Sequence, residues 1–179
     1  MNYQRFVAAQ SFVMTAGSIV FPFYLLFIRN IGDSYSQFGL AYGLFALTAA
    51  LSHVWIGKLT DRYGDRIMLL VYAWGMAGLM LLIPISTEIW QIYFIQIVMG
   101  LLGAVQKTTE KTSLSRFTEP ATAGKTIGYY HFWTSIWPAI AIMATGYLID
   151  FLTIGSLFYF ASLLYMAAAL KLTSTVNRN

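Results

Sequence analysis

Six stretches of this chain carry no aspartate, glutamate, lysine or arginine: Phe6–Ile28, Phe38–Ile56, Ile67–Thr87, Ile89–Gln106, Thr126–Ile149 and Phe151–Leu170. Each approaches or exceeds the roughly 18 apolar residues that mark a bilayer-crossing helix. In hydrocarbon the backbone has no water to bond, and a helix satisfies its N–H and C=O groups within one segment. Strands fit poorly, because the runs are continuous where a barrel strand would alternate, and they are far too long. The separators are short and polar, leaving no room for a soluble domain. The expectation is an all-α membrane protein, residues 1–179 forming one domain of six transmembrane helices near 6–28, 38–56, 67–87, 89–116, 126–149 and 151–170. The first run, at 23 residues, is too long for a signal-peptide core and reads as a retained helix.

Composition and charge placement agree. Charged residues are 10% of the chain and hydrophobic ones 58%, against roughly 25% charged in a soluble domain. There is no cysteine, which excludes disulfides and thiolate metal sites. The net charge of +4 is not gathered on a soluble face, so it speaks for orientation rather than for nucleic acid. With the amino terminus in the cytoplasm, Arg5, Lys58, Arg62, Arg66, Lys107, Lys111, Arg116, Lys125, Lys171 and Arg178 fall inside and Arg29 alone outside. That bias follows the positive-inside rule and puts both termini in the cytoplasm. Asp33, Glu88 and Asp150 then occupy the outer turns.

Between the second and third runs lies Gly57-Lys-Leu-Thr-Asp-Arg-Tyr-Gly-Asp-Arg66, a charged turn in which five of ten residues are ionised. Helices joined so closely must lie side by side and antiparallel. The pattern G-x-L-x-D-R-x-G-x-R resembles the loop between the second and third helices of major facilitator superfamily (MFS) transporters. Asp65 departs from it, standing where the family has Arg or Lys. Phe21-Pro22-Phe23, expected to interrupt the first helix near its outer end, and Thr118-Glu119-Pro120 followed by Gly124-Lys125 before the fifth, are similar to other family landmarks. The antiporter glycine series of the fifth helix is largely missing: Gly124 and Pro138 match, but Trp133 and Trp137 stand where glycines would be.

The resemblance covers the whole chain but only the amino-terminal half of a usual family member. It implies an MFS-type half built as an inverted three-plus-three helix repeat. A faint echo supports the repeat: Gly57-x-Leu59-x-Asp61 recurs as Gly146-x-Leu148-x-Asp150, and at the same offset of 89 residues Gly39 matches Gly128 and Ala50 matches Ala139. Chance recurrence of abundant residues is the alternative. The resemblance also implies that Gly57, Leu59, Asp61, Arg62, Gly64 and Arg66 form a conformational latch, Asp61 meeting the positive end of a helix in an opposite half. Asp65 would weaken that cluster. A solvated, merely topogenic cluster is the competing reading.

Candidate solute or proton-pathway residues are Gln10, Gln96, Gln106, Lys107, Glu110 and His131. An amide at membrane depth is costly unless it faces protein or water, so Gln10 and Gln96 mark either a deep cavity or interhelical hydrogen bonds. Lys107 pairs naturally with Glu110 at i+3; a snorkelling helix end is the alternative. Histidine is a plausible proton carrier, but His53 and His131 lie near the membrane interfaces, where an ordinary hydrogen-bonded histidine is the competing reading. Tyr24, Phe21, Trp133 and Trp137 are candidates for an apolar solute pocket, with packing the competing reading. Gly100, Gly103 and Ala104 give the fourth helix a small-residue face. No metal site, cofactor or catalytic constellation is expected, so the chain reads as no enzyme.

The function these features imply is secondary active transport of a small solute by alternating access, in a multi-pass protein of a prokaryotic cytoplasmic membrane. One six-helix half has nothing to rock against, so its expected partners are lipid, a solute and a second six-helix half: a second copy, a partner chain or a missing carboxy-terminal half. The alternatives are a non-transporting solute-binding or assembly subunit and an inactive truncated fragment.

Overall fold

The computed structural model describes residues 1–31 and 34–173 and, within them, every side chain but those of residues 25, 29 and 30. It is helical throughout, with no strand among the described residues: α1 (Tyr3–Ile31), α2 (Tyr35–Tyr63), α3 (Asp65–Leu82), α4 (Ile89–Phe117), α5 (Ala123–Leu148) and α6 (Ile154–Thr173). Short 3₁₀ turns at Ile83–Ile85 and Pro120–Thr122 join α3 to α4 and α4 to α5. The side chain of Arg29, together with Asp33 and Arg178, lies outside what is described.

Among the described residues five helices, α1, α2, α3, α4 and α6, are long and apolar enough to cross a membrane. The sixth, α5, has the length at 26 residues, but Tyr129, Tyr130, His131, Trp133, Trp137 and Pro138 dilute its apolar character. Pro22 does not interrupt α1 as expected; the helix runs through it to Ile31. A membrane helix tolerates proline where neighbouring helices or hydroxyls can re-satisfy the freed carbonyl. The last helix starts at Ile154 rather than Phe151, after a turn in which Phe151 and Leu152 both bond back to the Leu148 carbonyl. At the start of α4 the Glu88 and Gln91 side chains cap each other's backbone, satisfying amides that a helix start leaves without partners.

The helices pack in a definite order. α2 rests on α4, α4 on α3, α3 on α6, α6 on α1, and α1 on α5; α2 and α3, expected side by side from their short joint, scarcely touch, because α4 packs between them. Exchanging α1 with α4, α2 with α5 and α3 with α6 returns the same order, α2–α4–α3–α6–α1–α5, reversed. The centre is one cluster drawn mainly from α1, α3, α4 and α6, including Val13, Ala16, Tyr72, Ala73, Met76, Val105, Phe158, Ala161 and Tyr165. Apolar side chains gain little here by leaving lipid, so small residues that let backbones approach, and a few interhelical hydrogen bonds, carry the association. Ser162 of α6 donates to the Ala77 carbonyl of α3 at 2.8 Å. On α4, a Cβ at Gly100 would run into the Phe45 carbonyl of α2, and one at Gly103 would sit 3.3 Å from the Phe45 ring.

The two helices at the ends of the order are sparsely covered. α2 buries Ala41, Ala49, Ile56 and Thr60 in 29 residues, and α5 buries Tyr130, Thr134 and Thr145. Gly39 and Gly57 of α2, and Gly128 and Gly146 of α5, all face open space. Ala50 and Ala139 are exposed as well. The residues related by the offset of 89 are therefore alike in being uncovered.

Candidate functional site: a charged rim, a buried polar line and an aromatic groove

At 29 residues, α2 and α4 are each roughly 43 Å long at 1.5 Å per residue, more than the roughly 30 Å of hydrocarbon they cross. Their ends project as helix. The segment Gly57–Arg66 is accordingly not a loop: Gly57–Tyr63 is the last part of α2, α3 begins at Asp65, and Gly64 alone separates them. Its backbone sits at φ 83°, ψ 154°, a region essentially closed to other residues. Its N–H caps α2 by donating to the Thr60 carbonyl at 2.9 Å.

Arg116 of α4 reaches across to this junction, lying 3.5 Å from Asp61 and 3.3 Å from Asp65. The two carboxylates are not equivalent, the Asp65 side chain being 11% exposed and that of Asp61 76%. Thr112 also donates to Asp65 at 3.1 Å, and Asp65 stands in the first turn of α3, where a negative charge meets the helix dipole favourably. Asp65 is thus the better-sheltered of the two acceptors. Arg66 turns the other way and donates to the carbonyls of Leu172 and Thr173, each at 2.8 Å. These are carbonyls that the end of α6 cannot satisfy internally. Arg62 lies over the ring of Tyr63 at 5.4 Å. Asp65 and Arg66 therefore face inward and tie α3, α4 and α6 together, while Leu59, Asp61 and Arg62 are exposed and Gly57 faces open space.

One level deeper, α4 carries a line of polar groups. Gln106 donates to Gln10 of α1 at 2.6 Å, both side chains being buried. This is the interhelical bond weighed above for Gln10. The Oε1 of Gln106 has no hydrogen-bond partner among the described residues. Gln96 is buried too. Thr109 meets Thr60 of α2 at 3.3 Å, and Thr108 meets Nδ1 of His53 at 2.9 Å.

Glu110 departs from expectation. It forms no ion pair with Lys107 and instead accepts a hydrogen bond from the Tyr130 hydroxyl of α5. Tyr130 is held in place by stacking on Phe6, with ring centroids 5.4 Å apart. Lys107 is exposed, as is His131, whose ring sits edge-on to Tyr130. Among the described residues no group of His, Asp and Glu could hold a metal ion.

Beside this line, α1 and α5 enclose a groove of about 460 Å³ whose walls include Gln4, Ser11, Thr15, Tyr129, Trp133 and Trp137. The α5 aromatics recur every fourth residue and form a ladder: Tyr129 meets Trp133 edge-on, and Trp133 stacks on Trp137 at 6.3 Å. Trp133 and Trp137 were expected candidates for such a pocket, but Phe21 and Tyr24 are elsewhere. Phe21 is exposed, and Tyr24 is buried against Phe158. Tyr129 was not singled out, although its spacing of four from Trp133 was visible in the sequence.

A bundle of long apolar helices with a charged rim at one end and polar groups between its helices defines an integral, multi-pass membrane protein. A sequence model of the Major Facilitator Superfamily matches residues 6–177; the chain belongs to this family of membrane transporters. It is 46% identical to the uncharacterized MFS-type transporter YitZ of Bacillus subtilis (strain 168) over 89% of its own length and 98% of that protein. It is 38% identical to the multidrug resistance protein MdtG of Erwinia billingiae (strain Eb661) over 58% of the chain, a match spanning 27% of MdtG. A 36% match to MdtG of Proteus mirabilis (strain HI4320) covers 51% of the chain and 24% of that protein.

Proposed function

We propose that residues 1–179 form one half of a secondary active transporter that moves a small solute by alternating access across a prokaryotic cytoplasmic membrane, with both termini inside. The observation that carries this reading is the reversible packing order. It is the pattern expected of an inverted three-plus-three repeat with six crossings, α5 included. It leaves α2 and α5 as two open flanks on which a second six-helix half would pack. That half is supplied by a second copy, a partner chain or a carboxy-terminal half. The family membership supports a transport role over an enzymatic one.

In this reading the exposed group Gly57, Leu59, Asp61 and Arg62 meets the other half and is broken and remade as the halves rock, while Gly64, Asp65, Arg66 and Arg116 hold the rim rigid. A ligand that binds one orientation more tightly shifts the balance between them. Gln10, Gln96, Gln106 and Glu110 lie along the solute or proton path, with Lys107 and His131 at its inner mouth. The test is cysteine accessibility from each side of the membrane in Asp61→Asn, paired with uptake into proteoliposomes under imposed proton or sodium gradients. A shift in accessibility together with gradient-driven flux supports transport. Binding with no flux, and accessibility indifferent to Asp61, would instead assign a solute-binding or assembly subunit.

A further inference from the structure

The α1–α5 groove has a chemical bias that narrows what it binds. Resting on the reading of this chain as a solute-handling half, we propose that the groove is a site for a free amphipathic organic acid. Its lipophilic ring body would lie along Trp133 and Trp137, and its single acidic head would face Lys125.

Two cavities support the assignment together. The groove of about 460 Å³ has no charged residue in its lining, and its size falls within the range of small-molecule sites. A second cavity of about 480 Å³ shares Gln4 and Tyr129 with it and is lined also by Tyr3, Thr122, Lys125 and Thr126. Lys125 is the one ionic group in the combined lining, and it sits at one end. A cation would meet only that repelling charge. A neutral molecule would leave the lysine unused. A dianion would have to place one charge against the ladder.

The hydroxyls on the α1 wall contribute little to holding an anion in the groove itself. Ser11 directs its proton to the carbonyls of Val7 and Trp133 at 2.9 and 3.2 Å, and Thr15 directs its own to Ser11 at 2.7 Å. Both then offer only lone pairs to the groove. The acidic head is thereby excluded from the ladder and directed to the Lys125 end, while the body gains the flat faces of stacked indoles. A diacyl lipid has the right head but brings two long chains to a groove of small-molecule size.

The experiment uses the full chain in phosphatidylcholine nanodiscs, with energy transfer from tryptophan to 1-pyrenebutyrate, its neutral amide and its trimethylammonium analogue. The acid should bind at least roughly ten-fold more tightly than either analogue. Lys125→Gln should erase that preference and Lys125→Arg restore it, while Trp133→Ala should weaken all three probes alike. Equal affinities, a preference that survives Lys125→Gln, or affinities unmoved by Trp133→Ala would overturn the assignment. Competition by added phosphatidylglycerol that disappears in Lys125→Gln would make the groove a lipid site and overturn it too. No gradient is applied, so acid-selective binding without flux in proteoliposomes counts against the transport reading alone. Flux without acid selectivity counts against the groove alone.

Discussion

Helices α2 and α3 are joined through one residue and are both apolar enough to cross a membrane, yet they live in different surroundings. Eight of the 18 residues of α3 are buried, whereas four of the 29 in α2 are. Small residues show the contrast most clearly. On α3, Ala73 and Ala77 are closed over by neighbours, while Gly39, Gly43 and Gly57 of α2 have nothing within reach. Hydropathy records only that both helices suit a membrane. What separates them is whether the covering surface belongs to this bundle, and for α2 nearly all of that surface comes from its one close neighbour, α4.

The contrast can be broken most sharply at that contact. Gly100→Leu should destabilise the bundle by about 3 kcal/mol, because the new side chain meets backbone that cannot rotate away. Gly43→Leu on the open face of α2 should stay within about 0.5 kcal/mol. Thermal denaturation of the purified protein followed by size-exclusion chromatography compares the two, and equal losses would mean that α2 is covered on both faces. Gly64→Ala should cost about 1–3 kcal/mol, since alanine is strained at that backbone geometry, and the same assay reads it. Ser162→Ala on the covered side of α3 should cost roughly 0.6 kcal/mol and no more than about 1.7. Smallest of all is the rim pair: Asp65→Asn should lower stability by about 0.5 kcal/mol and Asp61→Asn by close to none, as ion pairs that reach solvent contribute little. If Asp61 proves the more sensitive in the isolated chain, the division of the rim into an inward and an outward group is wrong.

Much of this architecture was legible in the sequence. Uncharged runs located the helices, because lipid forbids nearly everything else, and the charged decapeptide with its glycines gave the family. What the sequence concealed came from competition between neighbours. Charges suggested a loop at Gly57–Arg66, but helical hydrogen bonding is indifferent to exposed charge once the chain leaves the hydrocarbon, so α2 continues to Tyr63. Glu110 was matched to Lys107 by spacing alone, whereas Tyr130, brought in by its stacking on Phe6, occupies the carboxylate instead. The shelter of Asp65 was hidden because its partner, Arg116, lies 51 positions away. The groove was half visible: the indoles stood out, but only packing revealed that they face α1 and that Lys125 lies at its end.

The single glycine between α2 and α3 also limits how the bundle can deform. With no slack at that joint, α2 cannot slide along its axis without dragging α3, which is packed between α4 and α6. The one close neighbour of α2 is α4, so α2 swings only by carrying α4 with it or by shearing that contact. Any displacement of α2 should therefore be a tilt pivoting at Gly64, small there and largest at its far tip by Tyr35.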